Sequence, residues 1–129
     1  MNVIGVGVDL VDLERVARLL AKKGEHAMQR FFTDEERAYL HTRPQPTGHA
    51  AARIAAKEAV YKALQALPGA RAVGWREIEV VRDPDGRPAI RLHGLAKQLA
   101  ETNGGLIVQV SLTHSAASAG AVAVVGTSR

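Results

Sequence analysis

Three charged residues, Asp9, Glu58 and Lys62, have side chains of the types that can act on phosphates. Asp9 lies at the exit of the apolar run 3–10, which predicts a buried strand. An ionised carboxylate at the end of such a strand needs a cation or hydrogen-bond donors. Mg²⁺ bound by one or two carboxylates, water and substrate phosphates would meet that need. The alternative is that Asp9 caps the following helix, a position for which Asp12 competes.

Residues 49–67 predict a long alanine-rich helix with two different faces. Its small and apolar residues cover one side: Ala52, Ala55, Ala56, Ala59, Val60, Ala63 and Leu67. The other side carries the polar residues Lys57, Glu58, Tyr61, Lys62 and Gln65, with Arg53 at the border. Glu58 and Lys62 are four residues apart and therefore adjacent on the helix surface. On a solvated helix such a pair would only add roughly 0.2–0.5 kcal/mol of stability, so two interpretations stay open.

The familiar glycine-rich phosphate-binding motifs are absent from the sequence. Gly5 and Gly7 suggest a dinucleotide fingerprint, but Leu10 occupies the place of the third glycine. No Walker pattern occurs either, so a phosphate site must use basic side chains and a metal. His114 and Ser115 are adjacent, yet no G-x-S-x-G elbow surrounds the serine, which argues against a serine nucleophile.

Composition narrows the class of protein. The 129 residues suit one domain, 1–129. A net charge of +4 favours an acidic partner, which could be nucleic acid, a nucleotide substrate or an acidic protein. The absence of cysteine excludes disulfides and thiolate chemistry. No stretch reaches the ~20 apolar residues of a membrane span, so we expect a soluble, cytoplasmic protein without a membrane partner.

The remaining segments predict an α+β fold. Helices are expected at 12–23, at 94–102 and from the capping-box sequence Thr33–Glu36 through Leu40. Strands are expected at 75–82, 87–92, 106–113 and 119–125, with a turn at 83–86 that makes a hairpin of the first two. The expected architecture is a single domain with an N-terminal strand, early helices and a mostly antiparallel sheet supplied by the C-terminal half.

Several motifs taken together resemble the small holo-acyl-carrier-protein synthase family of phosphopantetheinyl transferases. In chain order they are Gly5-Val-Gly-Val-Asp9, Phe32-Thr-Asp-Glu35, Arg53-x-Ala-Ala-Lys57-Glu58-Ala-x-x-Lys62-Ala-Leu64, Trp75-Arg-Glu-Ile-Glu-Val, Gly86-Arg-Pro88 and Ser111-Leu-Thr-His114. The resemblance spans nearly the whole chain, and its most specific part is the alanine-rich run with Lys57, Glu58 and Lys62. It implies a phosphopantetheinyl transferase-like fold.

The resemblance also implies an activity and a set of site residues. The reaction would move 4'-phosphopantetheine from coenzyme A to a serine of apo acyl carrier protein, releasing adenosine 3',5'-bisphosphate, in support of fatty acid biosynthesis. The enzyme would be a homotrimer with active sites between subunits. Asp9 and Glu58 match Mg²⁺ ligands, and Lys62 matches a pyrophosphate contact. The positions matching coenzyme A contacts are Arg53, His114 and Pro88, the first two from across the subunit boundary.

The basic residues of the first helix suit an acidic carrier protein. Arg15, Arg18 and Lys22 form a stripe away from the apolar arc of that helix, and they are either a docking surface or an ordinary solvated face. Without the resemblance, a basic nucleic-acid-binding module would be the alternative, although aromatic-basic strand motifs are lacking. A structural module assembled through the alanine face would explain the helix but not the set of three charged residues.

Overall fold

The structure, a computed structural model, describes residues 1–128. In chain order its elements are β1 Asn2–Asp12, α1 Leu13–Phe31, α2 Asp34–His41, α3 Pro46–Leu64, β2 Ile78–Arg82, β3 Pro88–Leu92, α4 Gly94–Thr102, β4 Ile107–His114 and β5 Ser118–Thr127. Two 3₁₀ turns, Ala70–Ala72 and Trp75–Glu77, connect α3 to β2. No helix in this part of the chain is long and apolar enough to cross a membrane.

The strands form two antiparallel sheets rather than one. The first has the order β1-β5-β4, and the second is the hairpin β2-β3. In the first sheet Asp9 pairs with Ala121, and Gly7 pairs with Ala123. The predicted α+β class and antiparallel pairing are therefore confirmed, and the N-terminal strand joins the C-terminal strands in the same sheet.

Helix α3 lies across one face of the three-stranded sheet because two glycines in β1 let it approach closely. A Cβ atom at Gly5 would lie 2.9 Å from the carbonyl carbon of Ala63, and one at Gly7 would lie 2.8 Å from that of Ala59. Carbon atoms normally keep about 3.5–4.0 Å apart, so no larger residue fits at either position. The glycine pair, which had suggested phosphate binding, is thus a helix-packing feature.

The other face of this sheet is uncovered in the single chain. Alternate residues of β1 point away from α3, and Val6, Val8 and Leu10 are 63%, 62% and 73% exposed. Val122 of the neighbouring strand β5 is 44% exposed beside them. Side chains of this size on adjacent strands form a continuous apolar surface, which is unusual on a monomer.

Helix α1 consists of two helical segments. The first ends at Lys23, as predicted, and the second continues to Phe31 after a break at Gly24, where φ is 53° and ψ is −130°. Glycine accepts this conformation because it lacks a Cβ, so the chain can bend between the two segments. After the bend, Ala27 and Met28 are buried, and Met28 belongs to the apolar cluster that α1 and α2 form with the first half of α3.

Two boundaries of α3 and β2 also differ from expectation. Helix α3 begins at Pro46, three residues before the predicted start, because proline at the first helical turn loses no hydrogen bond. Its last residue is Leu64 instead of residue 67. Strand β2 begins at Ile78 rather than residue 75, since the Glu77 carboxylate holds the preceding segment in a turn by accepting from the Gly74 and Leu95 amides at 2.8 Å each.

Lys57, which the helical pattern places on the polar side of α3, is only 1% exposed. Its ammonium group donates three hydrogen bonds: to Glu36 Oε1 at 2.6 Å, to the Ile78 carbonyl at 2.8 Å and to the Trp75 carbonyl at 2.9 Å. Glu36 also completes the predicted capping box, accepting from the Thr33 amide at 2.9 Å while its own amide donates to the Thr33 hydroxyl at 3.2 Å. One buried ion pair thus joins α2, α3 and the turn before β2.

Candidate functional site

The first part of the site lies where β1 meets α3. Residues two apart on a strand share a face, so Asp9 points to the same side as Gly5 and Gly7, towards α3. There Lys62 Nζ donates to Asp9 Oδ1 and to the Val8 carbonyl oxygen, each at 3.0 Å. The Asp9 side chain is 17% exposed and that of Lys62 is 49% exposed. Asp9 is therefore paired with Lys62 and does not cap α1; Asp12 holds the cap position, without a side-chain capping bond.

Glu58 lies one helical turn before Lys62 and is half-buried. Burial raises the pKa of its carboxyl group, the negative charge of Asp9 raises that pKa further, and the positive charge of Lys62 lowers it. The two carboxylates are thus close enough to repel each other. Both line one cavity of about 670 Å³.

This carboxylate pair could hold a hard divalent cation. Carboxylate oxygens are the ligands that Mg²⁺ prefers, and a cation between them would remove the repulsion felt by Glu58. Within residues 1–128 no cluster of three or more potential metal-binding side chains occurs. A cation here would accordingly complete its coordination with water or with oxygen atoms of a bound ligand.

The basic residues predicted for docking border the same cavity. Arg15, Arg18 and Lys22 line it from α1, and Phe31 and Trp75 line it as well. Trp75 and Phe31 pack edge to face with ring centroids 4.9 Å apart. The structure therefore brings the stripe on α1 together with Asp9 and Glu58, which sequence reasoning had treated as separate features.

A second cavity of about 460 Å³ contains the three remaining predicted positions, Arg53, His114 and Pro88. It shares no lining residue with the first cavity. The separation follows from helix geometry: at 100° per residue, Arg53 and Glu58 project about 140° apart around α3. The predicted site residues consequently fall into two groups on different sides of one helix.

The second cavity is strongly positive, and Arg53 at its wall is poorly satisfied. Arg53 is 7% exposed, its Nε has no partner in the described part of the chain, and its NH1 donates to the His49 carbonyl at 3.3 Å. Burial lowers the pKa of Arg53. Burial also lowers the pKa of His49, and the nearby charges of Arg53, Arg43, Arg82 and His114 lower it further. Such an excess of positive charge suits an anionic ligand.

Sequence reasoning missed part of this second cavity. Tyr39, His49, Arg82 and Arg87 also line it. A signal for the last two was available, because they flank the turn 83–86 that precedes Pro88. His49 lies four residues before Arg53 on α3 and so shares its side of the helix, whereas Tyr39 reaches the cavity from α2.

Comparison with known protein families shows which family the chain belongs to. Residues 5–117 match the 4'-phosphopantetheinyl transferase superfamily, and the chain belongs to that family.

Its relatives define the family branch more closely. The chain is 42% identical over 122 residues to the holo-[acyl-carrier-protein] synthase of Moorella thermoacetica, covering 95% of this chain and 93% of the relative. It is 40% identical over 120 residues to the enzyme of the same name from Syntrophus aciditrophicus, with 93% of each chain covered. The solved ACPS–CoA complex of Chronobacterium ammoniagenes superposes with a TM-score of 0.81 at 36% identity, covering 97% of this chain and 98% of that one.

Proposed function

We propose that this chain is a holo-[acyl-carrier-protein] synthase, which transfers 4'-phosphopantetheine from coenzyme A to a serine of apo acyl carrier protein and releases adenosine 3',5'-bisphosphate. The observation that carries the proposal is that Asp9 and Glu58 line one cavity, while Lys62 donates a hydrogen bond to Asp9 at 3.0 Å and lies one helical turn after Glu58. The names of the relatives and the coenzyme-bound related structure support the choice of substrates.

Asp9 and Glu58 are the residues that would hold Mg²⁺. When bound, the ion would supply positive charge beside the pyrophosphate of coenzyme A. Lys62 supplies a second positive charge from the chain itself. Two of its three ammonium protons are donated to Asp9 and to the Val8 carbonyl, which leaves one directed donor for a phosphate oxygen. That hydrogen bond strengthens as the leaving phosphate gains charge, so Lys62 stabilises the transition state more than the bound substrate.

The stripe of Arg15, Arg18 and Lys22 would receive the carrier protein. These residues border the cavity that holds Asp9 and Glu58, so an acidic partner docked on α1 would have its serine near the pyrophosphate. The attraction between exposed charges weakens as salt is added. We therefore expect the KM for the carrier to rise steeply with salt in the parent protein, and much less in a variant with Arg15→Glu and Lys22→Glu.

A homotrimer would unite the two groups of site residues. Arg53, His114 and Pro88 lie on another side of α3 from Glu58, and a neighbouring subunit would bring its copy of them to the same coenzyme A molecule. The apolar sheet face of Val6, Val8, Leu10 and Val122 offers a surface for such assembly. A role of the modified carrier protein in fatty acid biosynthesis, and a cytoplasmic location, remain predictions from the resemblance.

Mixing inactive subunits tests this arrangement. Asp9→Ala and Arg53→Ala variants, each inactive alone, should regain part of the activity when they are unfolded and refolded together, because some interfaces would then combine two intact halves. Sedimentation should show three chains per particle. A complete lack of rescue in co-refolded trimers would place both groups of residues in the same subunit's site.

The reaction itself is tested by mass spectrometry of the carrier. The chain is incubated with coenzyme A, Mg²⁺ and an apo carrier protein, and the carrier should gain one phosphopantetheine group. A carrier with its acceptor serine changed to alanine, and a reaction containing a chelator, are the controls. A carrier left unmodified in the complete reaction would refute the proposed function.

A further inference from the structure

Arg53 and Arg82, which line the second cavity, and a third arginine, Arg43, are gathered around a single aromatic ring. Tyr39 of α2 has the guanidinium carbon of Arg53 4.2 Å from its ring centroid, that of Arg43 at 4.9 Å and that of Arg82 at 5.7 Å. The Tyr39 hydroxyl also accepts a hydrogen bond from Arg82 NH1 at 2.8 Å. These distances are within the range of cation–π attraction, so one side chain restrains three cations.

None of these three arginines forms a salt bridge within residues 1–128. Their other hydrogen bonds are weak or few: Arg53 NH1 reaches the His49 carbonyl at 3.3 Å, and Arg43 Nε reaches the Thr42 hydroxyl at 3.2 Å. A carboxylate would hold arginines more strongly but would also neutralise them and compete with an anionic ligand. An aromatic ring restrains them and leaves their charge and most of their N–H donors available.

We propose that Tyr39 is a positioning residue, whose ring and hydroxyl preorganise Arg43, Arg53 and Arg82 to bind the 3'-phosphate of coenzyme A. The inference rests on the proposed function, which assigns the pyrophosphate to Asp9, Glu58 and Lys62. Coenzyme A carries one further phosphate, a monoester on the ribose, and it is the group left for a separate arginine cluster. Fixed guanidinium groups bind a phosphate more tightly than mobile ones, because less side-chain entropy is lost on binding.

The test compares coenzyme A with 3'-dephospho-coenzyme A as substrates of the full chain. The parent protein should have a higher kcat/KM for coenzyme A. In Tyr39→Leu, which loses both ring and hydroxyl, we expect this preference to fall about 5- to 30-fold through KM, with the rate on the dephospho substrate unchanged. Tyr39→Phe keeps the ring and should lose only about 2- to 5-fold, through the freed Arg82.

Direct binding gives a readout that does not depend on turnover. Calorimetry should show that Tyr39→Leu weakens the binding of adenosine 3',5'-bisphosphate by a similar factor and leaves the affinity for adenosine 5'-monophosphate unchanged. An equal loss of kcat/KM on both substrates would mean that Tyr39 only supports the fold. An unchanged preference for coenzyme A over the dephospho substrate would mean that Tyr39 has no part in phosphate binding. Either result would overturn the proposal.

Two results would locate a failure elsewhere. A parent protein that transfers phosphopantetheine equally from both substrates would overturn the phosphate assignment of this cavity while leaving the proposed function intact. A parent protein that transfers from neither substrate and binds neither nucleotide would overturn the proposed function, and this inference with it.

Discussion

The contact between β1 and α3 predicts a severe effect of one methyl group at Gly7. In Gly7→Ala, the new Cβ would overlap the carbonyl oxygen of Ala59, and it would lie 2.8 Å from the carbonyl carbon of Ala59 and 3.0 Å from the amide nitrogen of Ala63. All three are backbone atoms of a helix, so no side-chain rotation relieves the overlap. The helix and the strand must move apart.

The size of the effect follows from the geometry. Restoring a normal carbon–carbon separation of about 3.5 Å requires a shift of roughly 0.7 Å or more. Overpacking of this kind costs about 1–3 kcal/mol, and we expect about 3 kcal/mol because Ala59 and Ala63 are fully enclosed in the core. A domain of this size loses about 4 °C in Tm per kcal/mol, which gives a decrease of about 12 °C. The same shift separates Asp9 from Lys62 and Glu58, so we expect a ~100-fold loss of transfer rate.

Thermal unfolding followed by circular dichroism measures the first effect, and the carrier-modification assay measures the second. Gly48→Ala is the matched control, since a Cβ there meets no atom within 4 Å and the residue lies in the first turns of α3. That change should leave activity intact and add up to about 1 kcal/mol of stability. If the Tm of Gly7→Ala lies within about 2 °C of that of Gly48→Ala and the transfer rate is retained, close packing of α3 against β1 is not the reason for a glycine at position 7.

Three further predictions concern charged and capping groups. Because the pKa of Glu58 is raised, the folded chain binds a proton on this carboxylate more tightly than the unfolded chain does, so stability in metal-free buffer should fall as pH rises from 4.5 towards that pKa. Glu58→Gln should flatten this dependence of Tm on pH and abolish transfer. A variant with the same pH dependence of Tm as the parent would contradict this explanation. Lys57→Met should cost about 3–5 kcal/mol in urea unfolding, because Glu36 stays buried without its cation; a loss below about 1 kcal/mol would count against it. Thr33→Ala should cost about 1–2 kcal/mol through the lost cap, with transfer by the folded protein retained; a cost near zero would make the cap unimportant.

Local patterns were sufficient to predict most of the helices and strands and to single out Asp9 on β1 and Glu58 and Lys62 on α3. The period of the apolar residues predicted β1 and α3, and the four-residue spacing predicted that Glu58 and Lys62 share a face. The pattern could not predict which face of β1 meets α3. That depends on the absence of side chains at Gly5 and Gly7, which only matters once Ala59 and Ala63 are seen to pack there.

Lys57 shows the physical limit of such reasoning. Helix periodicity assigns each residue a direction but does not say what lies in that direction. Lys57 points towards α2 and the turn before β2, where Glu36 and two carbonyl groups complete its hydrogen bonds. A charged residue can be fully buried when every donor is satisfied, and the partner comes from a separate element 21 residues earlier.

Lys57 and Glu58 are neighbours in sequence, but the charge of Lys57 is balanced by a partner whereas the charge of Glu58 is opposed by its surroundings. The first residue therefore helps α3 to hold the second in place. Lys57 has its charge balanced and all its donors used, so it fastens the helix to two other elements. Glu58 faces the cavity, where burial and Asp9 both disfavour its charge. A carboxylate under repulsion keeps its position only when both its backbone and its side-chain rotamer are restrained. The buried ion pair one residue earlier restrains the backbone of Glu58, so under the proposed function loss of Lys57 should reduce the affinity for Mg²⁺ in the protein that remains folded.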